Sequence, residues 1–465
     1  MLSSKVLKRL EGILGQERVK SAPEDLLAYS YDGYLQESLP GAVVFPRTTE
    51  EVSAVMKLAS AEKVPVTPRG AGTNLSGGSI PVPEGIVVCL TRMNRILEID
   101  ERNRLAVAEA GVINGDLQKA VEARGLTYPP DPSSQFISTL GGNVAENAGG
   151  LKCLKYGTTR DYLLALEVVL ASGEVITTGS RTAKNVTGYD LTRLLCGSEG
   201  TLGIITKITV RLLPKPESKR ALQAIFPDLG QAGETVARIM GAGITPSIME
   251  LMDQGITGAV EDFMHLGLPR DAEAILLIEV DGRQEMVEKE VAQVAELCSA
   301  GGASEVKVAR SDEENEQIWL ARRSVFGALA RLSPTTFSED TTVPVSQLPL
   351  MLRKFPEIAR RHNVRIAVVA HAGDGNIHPC LSFDERDREE MARVERAAQE
   401  IVAESLALGG TLSGEHGIGL SKARFLPMEF DPTTLQIMAQ IKRAFDPLGI
   451  LSPNSFLSQH LAASR

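Results

Sequence analysis

The segment Pro68–Pro81 reads PRGAGTNLSGGSIP, and it continues the short apolar run VPVTP of Val64–Pro68. A strand that runs into such a loop can cradle a phosphate, because glycines at 70, 72, 77 and 78 leave backbone N–H groups able to converge on an anion. The dinucleotide fingerprint needs a glycine where this chain has Leu75. A phosphate loop needs Gly-Lys-Ser/Thr, and no lysine follows here. The usual nicotinamide and ATP devices are therefore both absent. Two further small-residue loops stand beside predicted strands: STLGGNVAENAGG, Ser138–Gly150, and GSEGTLGIIT, Gly197–Thr206. Three ordinary turns would give the same composition. Three loops in one region can also surround one long phosphorylated cofactor.

Working outward, the pattern from about residue 40 alternates strand and helix. AVVFP is a short strand, and RTTEEVSAVMKLASAEK is a helix with Thr48 and Glu51 placed for a capping box. Val52, Val55, Met56 and Ala59 share one face of that helix. GIVVCL, LAVAEAG, LALEVVLASGEVI and LGIITKITVRLLP read as strands, and VINGDLQKAVEARG as a helix. Prolines and charges at Pro214–Ser218 mark a domain boundary. Beyond it come the strand AILLIEVDG, the helix DEENEQIWLARRSVFGALARL and the strand VRIAVVAHAGDGN. The long helix DREEMARVERAAQEIVAESLALGG stops at Gly409 and Gly410. A helix and an extended tail follow. The expected division is 1–214, 215–420 and a segment 421–465 that returns to the first domain.

The chain has 465 residues, 43% hydrophobic and 23% charged. No run of about 18 uncharged apolar residues occurs, so no transmembrane segment is expected. The N-terminus MLSSKVLKRLEGIL is amphipathic, with apolar stretches too short for a signal peptide, which reads as cytoplasmic. A net charge of -10 argues against nucleic acid. Five scattered cysteines, Cys89, Cys153, Cys196, Cys298 and Cys380, give no disulfide framework and no clustered thiolates for an iron–sulfur centre. They read as buried free thiols.

The second half holds a different constellation. In AHAGDGNIHP, Ala370–Pro379, His371 and His378 flank Gly-Asp-Gly-Asn. Two histidines so spaced are met in turns and cores. They can also reach one metal if the intervening residues turn tightly, since imidazole nitrogens are usual ligands of zinc, iron and manganese. SGEHGIG, Ser413–Gly419, offers Glu415 and His416 as a third ligand or a base. The helix IWLARRSVFGAL places Trp319, Arg322, Arg323 and Phe326 on one face. An arginine there can be a solvated surface residue or a planar partner for a substrate carboxylate. Asn376 can orient the substrate or a histidine.

Taken together and in this order, PRGAGTNLSGG, GGNVAENAGG, GSEGTLGIIT and HAGDGNIHP resemble the FAD-linked D-2-hydroxy acid dehydrogenases, the family of glycolate oxidase flavin subunits and D-lactate dehydrogenases. The resemblance covers roughly residues 35–455. It implies an α+β protein with a vanillyl-alcohol-oxidase-type FAD-binding domain and an α/β substrate-capping domain. It implies that Pro68, Arg69, Gly70, Ala71, Gly72, Thr73, Asn74, Gly77, Gly78 and Ser79 hold the FAD pyrophosphate. Pro132, Thr139, Gly141, Gly142, Asn143, Ala145, Asn147, Gly149, Gly150 and Gly157 would line the flavin, and Glu199, Gly200, Gly203 and Ile204 the adenine side or ribityl chain. The first loop has neither His nor Cys, so the FAD is expected to be non-covalent.

By the same resemblance His371, His378 and Glu415 would bind one divalent metal (Zn, Fe or Mn), with His416 as the base. Arg322, Asn376 and His416 would meet the substrate. The implied reaction is oxidation of a small D-2-hydroxy acid, D-lactate or glycolate, to the 2-oxo acid, with hydride passing to flavin N5.

Two departures from the family stand out. The tail reads SPNS, Ser452–Ser455, where the family commonly has NPGK, which puts its contact with the flavin in doubt. FSEDTTVPVSQLP lacks the lysine used by hydroxyglutarate enzymes, which favours a monocarboxylate. With no nicotinamide motif and no cluster cysteines, electrons are expected to leave to an electron-transferring flavoprotein, an iron–sulfur subunit or a quinone, if need be at the membrane periphery. The alternative is a non-catalytic flavin-binding electron-transfer subunit.

Overall fold

The computed structural model describes residues 2–455. The chain divides into two units. The first is Met1–Gly150, Gly157–Lys215 and Glu415–Arg465, and the second is Leu151–Tyr156 and Pro216–Gly414. The boundaries expected at 214/215 and 420/421 thus stand at 215/216 and 414/415. Leu151–Tyr156 leaves the first unit because it is tied to the second: Lys155 Nζ meets Asp281 Oδ1 at 2.6 Å and Tyr156 Oη donates to Asp281 Oδ2 at 2.7 Å.

In the first unit, strands Ala42–Val44 and Val66–Arg69 both pair in parallel with Ile86–Cys89. These strands are buried almost throughout, which is why they read as unbroken apolar runs. Helix Thr49–Glu62 connects the first two, with Val52, Val55, Met56 and Ala59 fully buried. Thr48 accepts the N–H of Glu51, as a capping box requires. The return arm differs from expectation: the Glu51 carboxylate takes the N–H of Arg47 at 2.7 Å and Nη1 of Arg18 at 2.6 Å. The glycine loop leaves the carboxyl end of Val66–Arg69, where open parallel sheets bind ligands. A second, antiparallel sheet runs in the order Ile96–Asp100, Leu105–Glu109, Ile204–Arg211, Leu163–Val169 and Val175–Gly179.

The tail lies along the first sheet. Ser452 N–H donates to Val66 O at 2.8 Å, and Asn454 Nδ2 donates to Ile80 O at 3.0 Å. So SPNS binds the backbone at both ends of the first glycine loop through its own polar groups. Just ahead of it, the buried Lys442 is held by Asp446 Oδ2, Thr201 O and Leu451 O.

The second unit is built on one antiparallel sheet. Its order is Glu305–Val308, Ser218–Phe226, Ala274–Gly282, Ile248–Asp253, Arg365–His371, Asn376–Phe383 and Thr335–Ser338, with Thr341–Thr342 also pairing to Asn376–Phe383. Helices Gln254–Met264 and Asp312–Arg323 share an apolar core with one face of this sheet, including Ile256, Val260, Ile318 and Trp319. Helix Asp312–Arg323 starts on Ser311, whose side chain accepts Glu314 N–H. Three acids in its first turn and Arg322 and Arg323 in its last complement the helix dipole. All five cysteines are free, and four of them are buried. Among the described residues, no helix is long and apolar enough to cross a membrane.

Candidate functional site

In the first unit the three glycine loops meet. A Cβ on Gly70 would stand 2.2 Å from Thr139 Oγ1, and one on Gly200 would stand 3.1 Å from Pro68 Cγ. The second and third loops are joined through the backbone: Gly197 N–H donates to Val144 O and Glu199 N–H to Ala145 O, each at 2.9 Å. Helix Leu140–Glu146 ends at Asn147, which takes the left-handed conformation at φ 54°. Gly141 allows that helix to touch Ala110, whose Cβ would be 2.6 Å from an added methyl. Gly150, at φ 145°, presses on Asp131 O beside Pro132, and Gly157, at φ 79°, on Asp161.

Several side chains of the first loop hold the loop itself together. Arg69 is buried and donates to Tyr31 O at 2.8 Å. Its burial lowers its pKa. Gly72, at φ 72°, lies so close over the guanidinium that a Cβ would be 2.0 Å from Nη2. Asn74 donates to Asp32 Oδ2 at 2.7 Å, and Ser79 Oγ donates to Asn74 Oδ1 at 2.8 Å. Ile204 is fully buried at the start of its strand, and the space beside Gly203 is filled by Val168, 2.5 Å from where a Cβ would sit.

What remains fits a phosphorylated flavin. The N–H groups of Ala71, Gly72, Thr73 and Asn74 donate to no acceptor among the described residues. Ser76 Oγ, Asn143 Nδ2 and Glu146 Oε2 are buried and equally without a partner. Buried polar atoms are nearly always hydrogen-bonded, so a cradle lined by such atoms is built for a polar guest. Thr73, Gly77, Gly78, Gly142, Ala145 and Gly149 belong to the same three loops.

The loops also carry a buried pair of acids that the sequence reading took singly or missed. Glu199 accepts the N–H groups of Ile418 and Gly419 at 2.8 and 2.7 Å. Burial pushes its pKa up to about 7, against those two hydrogen bonds. Glu146 is raised well above the carboxylate range by burial and then by the charge of Glu199. A Cβ on Gly417 would lie 2.6 Å from Glu146 and 3.1 Å from Glu199. At neutral pH the pair therefore keeps a proton that the unfolded chain releases near 4.5. Its contribution to stability is complete below 4.5 and is lost as pH rises through about 7. Glu146→Gln is expected to flatten that decline. The thermal midpoint of the FAD-loaded variant at pH 8 should exceed the parent's by about 2–4 °C, with no gain at pH 5.

The segment from Glu415 onward is fastened to this cradle. Besides the clasp by Glu199, Leu420 and Ser421 donate to Ser76 O at 2.8 and 3.1 Å. Gly419, at φ 47°, leaves only 2.2 Å between an added Cβ and that same oxygen. Glu415 and His416 are adjacent and partly buried, with Oε1 and Nε2 3.9 Å apart. The imidazole is thus held at the start of a segment anchored at four consecutive residues.

In the second unit the strand register gathers the other candidates. His371 closes the strand Arg365–His371 and pairs with Asn376, while Val369 pairs with His378. His371 and His378 are therefore diagonal neighbours on one face. Their rings stand 5.1 Å apart and nearly perpendicular at 87°. Gly375, at φ 81°, makes this turn possible, since a Cβ would lie 2.0 Å from Val343 O. Asp374 accepts Asn376 N–H within the turn.

On the neighbouring strand Glu250 stands opposite His371. Its Oε1 meets His371 Nδ1 at 2.5 Å, and its Oε2 accepts from Arg322 Nε at 2.6 Å. Burial raises the Glu250 pKa, but its interactions with His371 and Arg322 outweigh that and hold it below the usual range. One turn earlier on the same helix, Trp319 Nε1 donates to Glu279 at 3.1 Å. This separates the two arginines. Arg322 is 6% exposed and faces the histidines' side of the sheet, whereas Arg323 is half-exposed and pairs with Glu316. Phe326 is also exposed.

Asn376 is committed through Nδ2 to Asp340 Oδ1 at 2.6 Å and to Thr342 Oγ1 at 3.0 Å. Only its carbonyl oxygen is left for a substrate. Asp340, which the sequence reading passed over, is fully buried and also accepts from Ser413 Oγ at 2.5 Å. Its carboxylate lies 4.0 Å from His378 Nδ1. Gly414 rests against Asn376, and Glu415 is the next residue in the chain. A histidine whose Nδ1–H is held by a carboxylate presents Nε2 as its lone-pair nitrogen, the form in which imidazole binds a divalent metal. His371 has that arrangement.

Comparison with known proteins agrees with this architecture. Residues 40–179 match the FAD binding domain family, and residues 215–455 match the C-terminal domain of FAD linked oxidases. The glycolate oxidase subunit GlcD of Bacillus subtilis is 46% identical over 460 residues, covering 99% of this chain and 98% of that protein. The Escherichia coli K12 subunit GlcD is 41% identical, over 92% of this chain and 86% of its own. A D-lactate dehydrogenase of Anaerostipes hadrus is 36% identical, with 89% of each chain covered. Among solved structures, p-cresol methylhydroxylase with substrate bound superposes with a TM-score of 0.83 at 18% identity, covering 98% of this chain and 97% of its own. The 4-ethylphenol oxidase of Gulosibacter chungangensis gives 0.81 at 17% identity, with 98% of each covered. The fold is the α+β, vanillyl-alcohol-oxidase-type FAD-binding fold. The chain belongs to the FAD-linked oxidases, the family of the GlcD subunits and D-lactate dehydrogenases, and is an FAD-linked oxidoreductase.

Proposed function

We propose that this enzyme oxidises a small D-2-hydroxy acid, glycolate or D-lactate, to the 2-oxo acid in a reaction that needs a divalent metal as well as FAD. The observation that carries the reading is the gathering of His371, His378 and Arg322 on one sheet face, with Glu250 as a shared neighbour. When bound, FAD supplies the hydride acceptor and the metal a Lewis acid that lowers the pKa of the substrate hydroxyl. His371, His378 and Glu415 would hold the metal. The two Nη groups of Arg322, which make no hydrogen bond among the described residues, would take the substrate carboxylate as a planar fork. His416 would accept the hydroxyl proton. The amides of Ala71–Asn74 would hold the FAD pyrophosphate.

Relatives named as subunits favour passage of electrons to a partner protein, an electron-transferring flavoprotein or iron–sulfur subunit, with a quinone as the other acceptor. The substrate reading is tested by adding glycolate, D-lactate, L-lactate and D-2-hydroxyglutarate anaerobically to the FAD-loaded protein. Glycolate or D-lactate should bleach the flavin band, and hydroxyglutarate should do so far more slowly. No bleaching by any of them would identify a non-catalytic flavin subunit instead.

A further inference from the structure

Glu250 lies in none of the glycine-rich loops. It is the one charged residue between Ile248 and Met252 in the strand IMELMD, and it has no exposed surface. A carboxylate so placed costs several kcal/mol unless both oxygens are satisfied by charged or polar partners. Here each oxygen has its own: Oε1 has His371 Nδ1 and Oε2 has Arg322 Nε. Those partners come from positions 121 and 72 residues away, on a neighbouring strand and on a helix. Under the proposed function, one is a metal ligand and the other holds the substrate carboxylate.

We propose that Glu250 is a positioning residue that couples the divalent-cation site to the site for the substrate carboxylate; this rests on the metal-dependent reading above. By accepting the hydrogen bond of His371 Nδ1–H, it selects the tautomer whose Nε2 carries the lone pair and fixes the plane of the ring. By taking Nε of Arg322, it leaves both Nη groups, the planar fork, for a second carboxylate. The two oxygens share one rigid carboxylate. A shift or rotation that loosens one partner therefore loosens the other, and the two binding sites keep a fixed spacing. Trp319, tied to Glu279 at 3.1 Å one helical turn away, keeps the helix from sliding and holds the fork in register.

The test is Co(II) binding and steady-state kinetics on the full-length, FAD-loaded protein and its Glu250→Gln variant. Glutamine keeps the shape but offers one acceptor where the site needs two. The expected result is normal FAD content, a Co(II) dissociation constant raised about 10–100-fold, and a KM for glycolate raised about tenfold. A merely structural role would lower melting temperature without moving both constants. If the glutamine variant loses FAD, Glu250→Asp is used, since its shorter side chain can reach only one partner. It should weaken both Co(II) binding and glycolate binding, and a change in only one of them would overturn the coupling. Wild-type Co(II) affinity and KM in a folded variant would overturn the coupling while leaving the metal reading intact. A parent protein that binds no Co(II) would overturn both.

Discussion

Replacing His416 with alanine is expected to slow flavin reduction by a 2-hydroxy acid about 10²–10⁴-fold, the span that a positioned general base contributes. FAD content and bound metal should stay at parent levels. Neutral imidazole is the side chain suited to this task, because its ordinary pKa lies near neutrality. The anchors of its segment lie beyond His416 in the chain. Glu199 holds the backbone at Ile418 and Gly419, and Ser76 O holds Leu420 and Ser421. These four anchors are backbone N–H groups of other residues, so the His416→Ala variant is expected to keep the cradle. Anaerobic stopped-flow spectroscopy reads the effect directly. Reduction at the parent rate would assign the proton transfer elsewhere.

Removing divalent metal with a chelator should lower turnover at least about a hundredfold, since Lewis-acid stabilisation worth several kcal/mol is lost and each 1.36 kcal/mol is tenfold. One of zinc, manganese or iron should restore activity when added back singly, and flavin absorbance should be unchanged throughout. His371→Ala should reproduce the loss and resist rescue. It removes a proposed ligand and also strips Glu250 of the partner on Oε1, leaving a buried carboxylate with Arg322 alone. That variant is therefore expected to melt earlier than the parent as well, by the amount typical of breaking one arm of a buried ionic network, ~3 kcal/mol. Chelation without mutation separates the chemical effect from this structural one.

The parts of the site that follow local rules were legible in the sequence. Glycines at 70, 72, 141 and 200 mark close approach or left-handed backbone, and such needs can be read from residue type alone. The spacing of His371 and His378 was readable because a tight turn flanked by strands puts both on one face. The choice between Arg322 and Arg323 was not readable from helical periodicity, since both lie near the same face. It is made by Glu250, whose partner strand is far away in sequence. Glu250, Asp340 and Glu146 escaped notice for the same reason. A buried acid is explained only by its partners, and these come from other elements. A signal did exist in IMELM, Ile248–Met252, where one charge interrupts an apolar run, because such a residue must be paired when buried. Ile204 stands in a glycine-rich run and also begins a strand whose side chains fill the core.

The central claim is that this chain takes the hydroxyl proton, and a hydride from C2, of a hydroxy acid only when both a divalent metal and FAD are bound. It is tested most directly by mixing FAD-loaded protein, with and without restored metal, anaerobically with glycolate and with glycolate deuterated at C2. The account predicts that only the metal-restored protein is bleached, and that deuterium slows the bleaching. Equal bleaching rates with and without metal would contradict it.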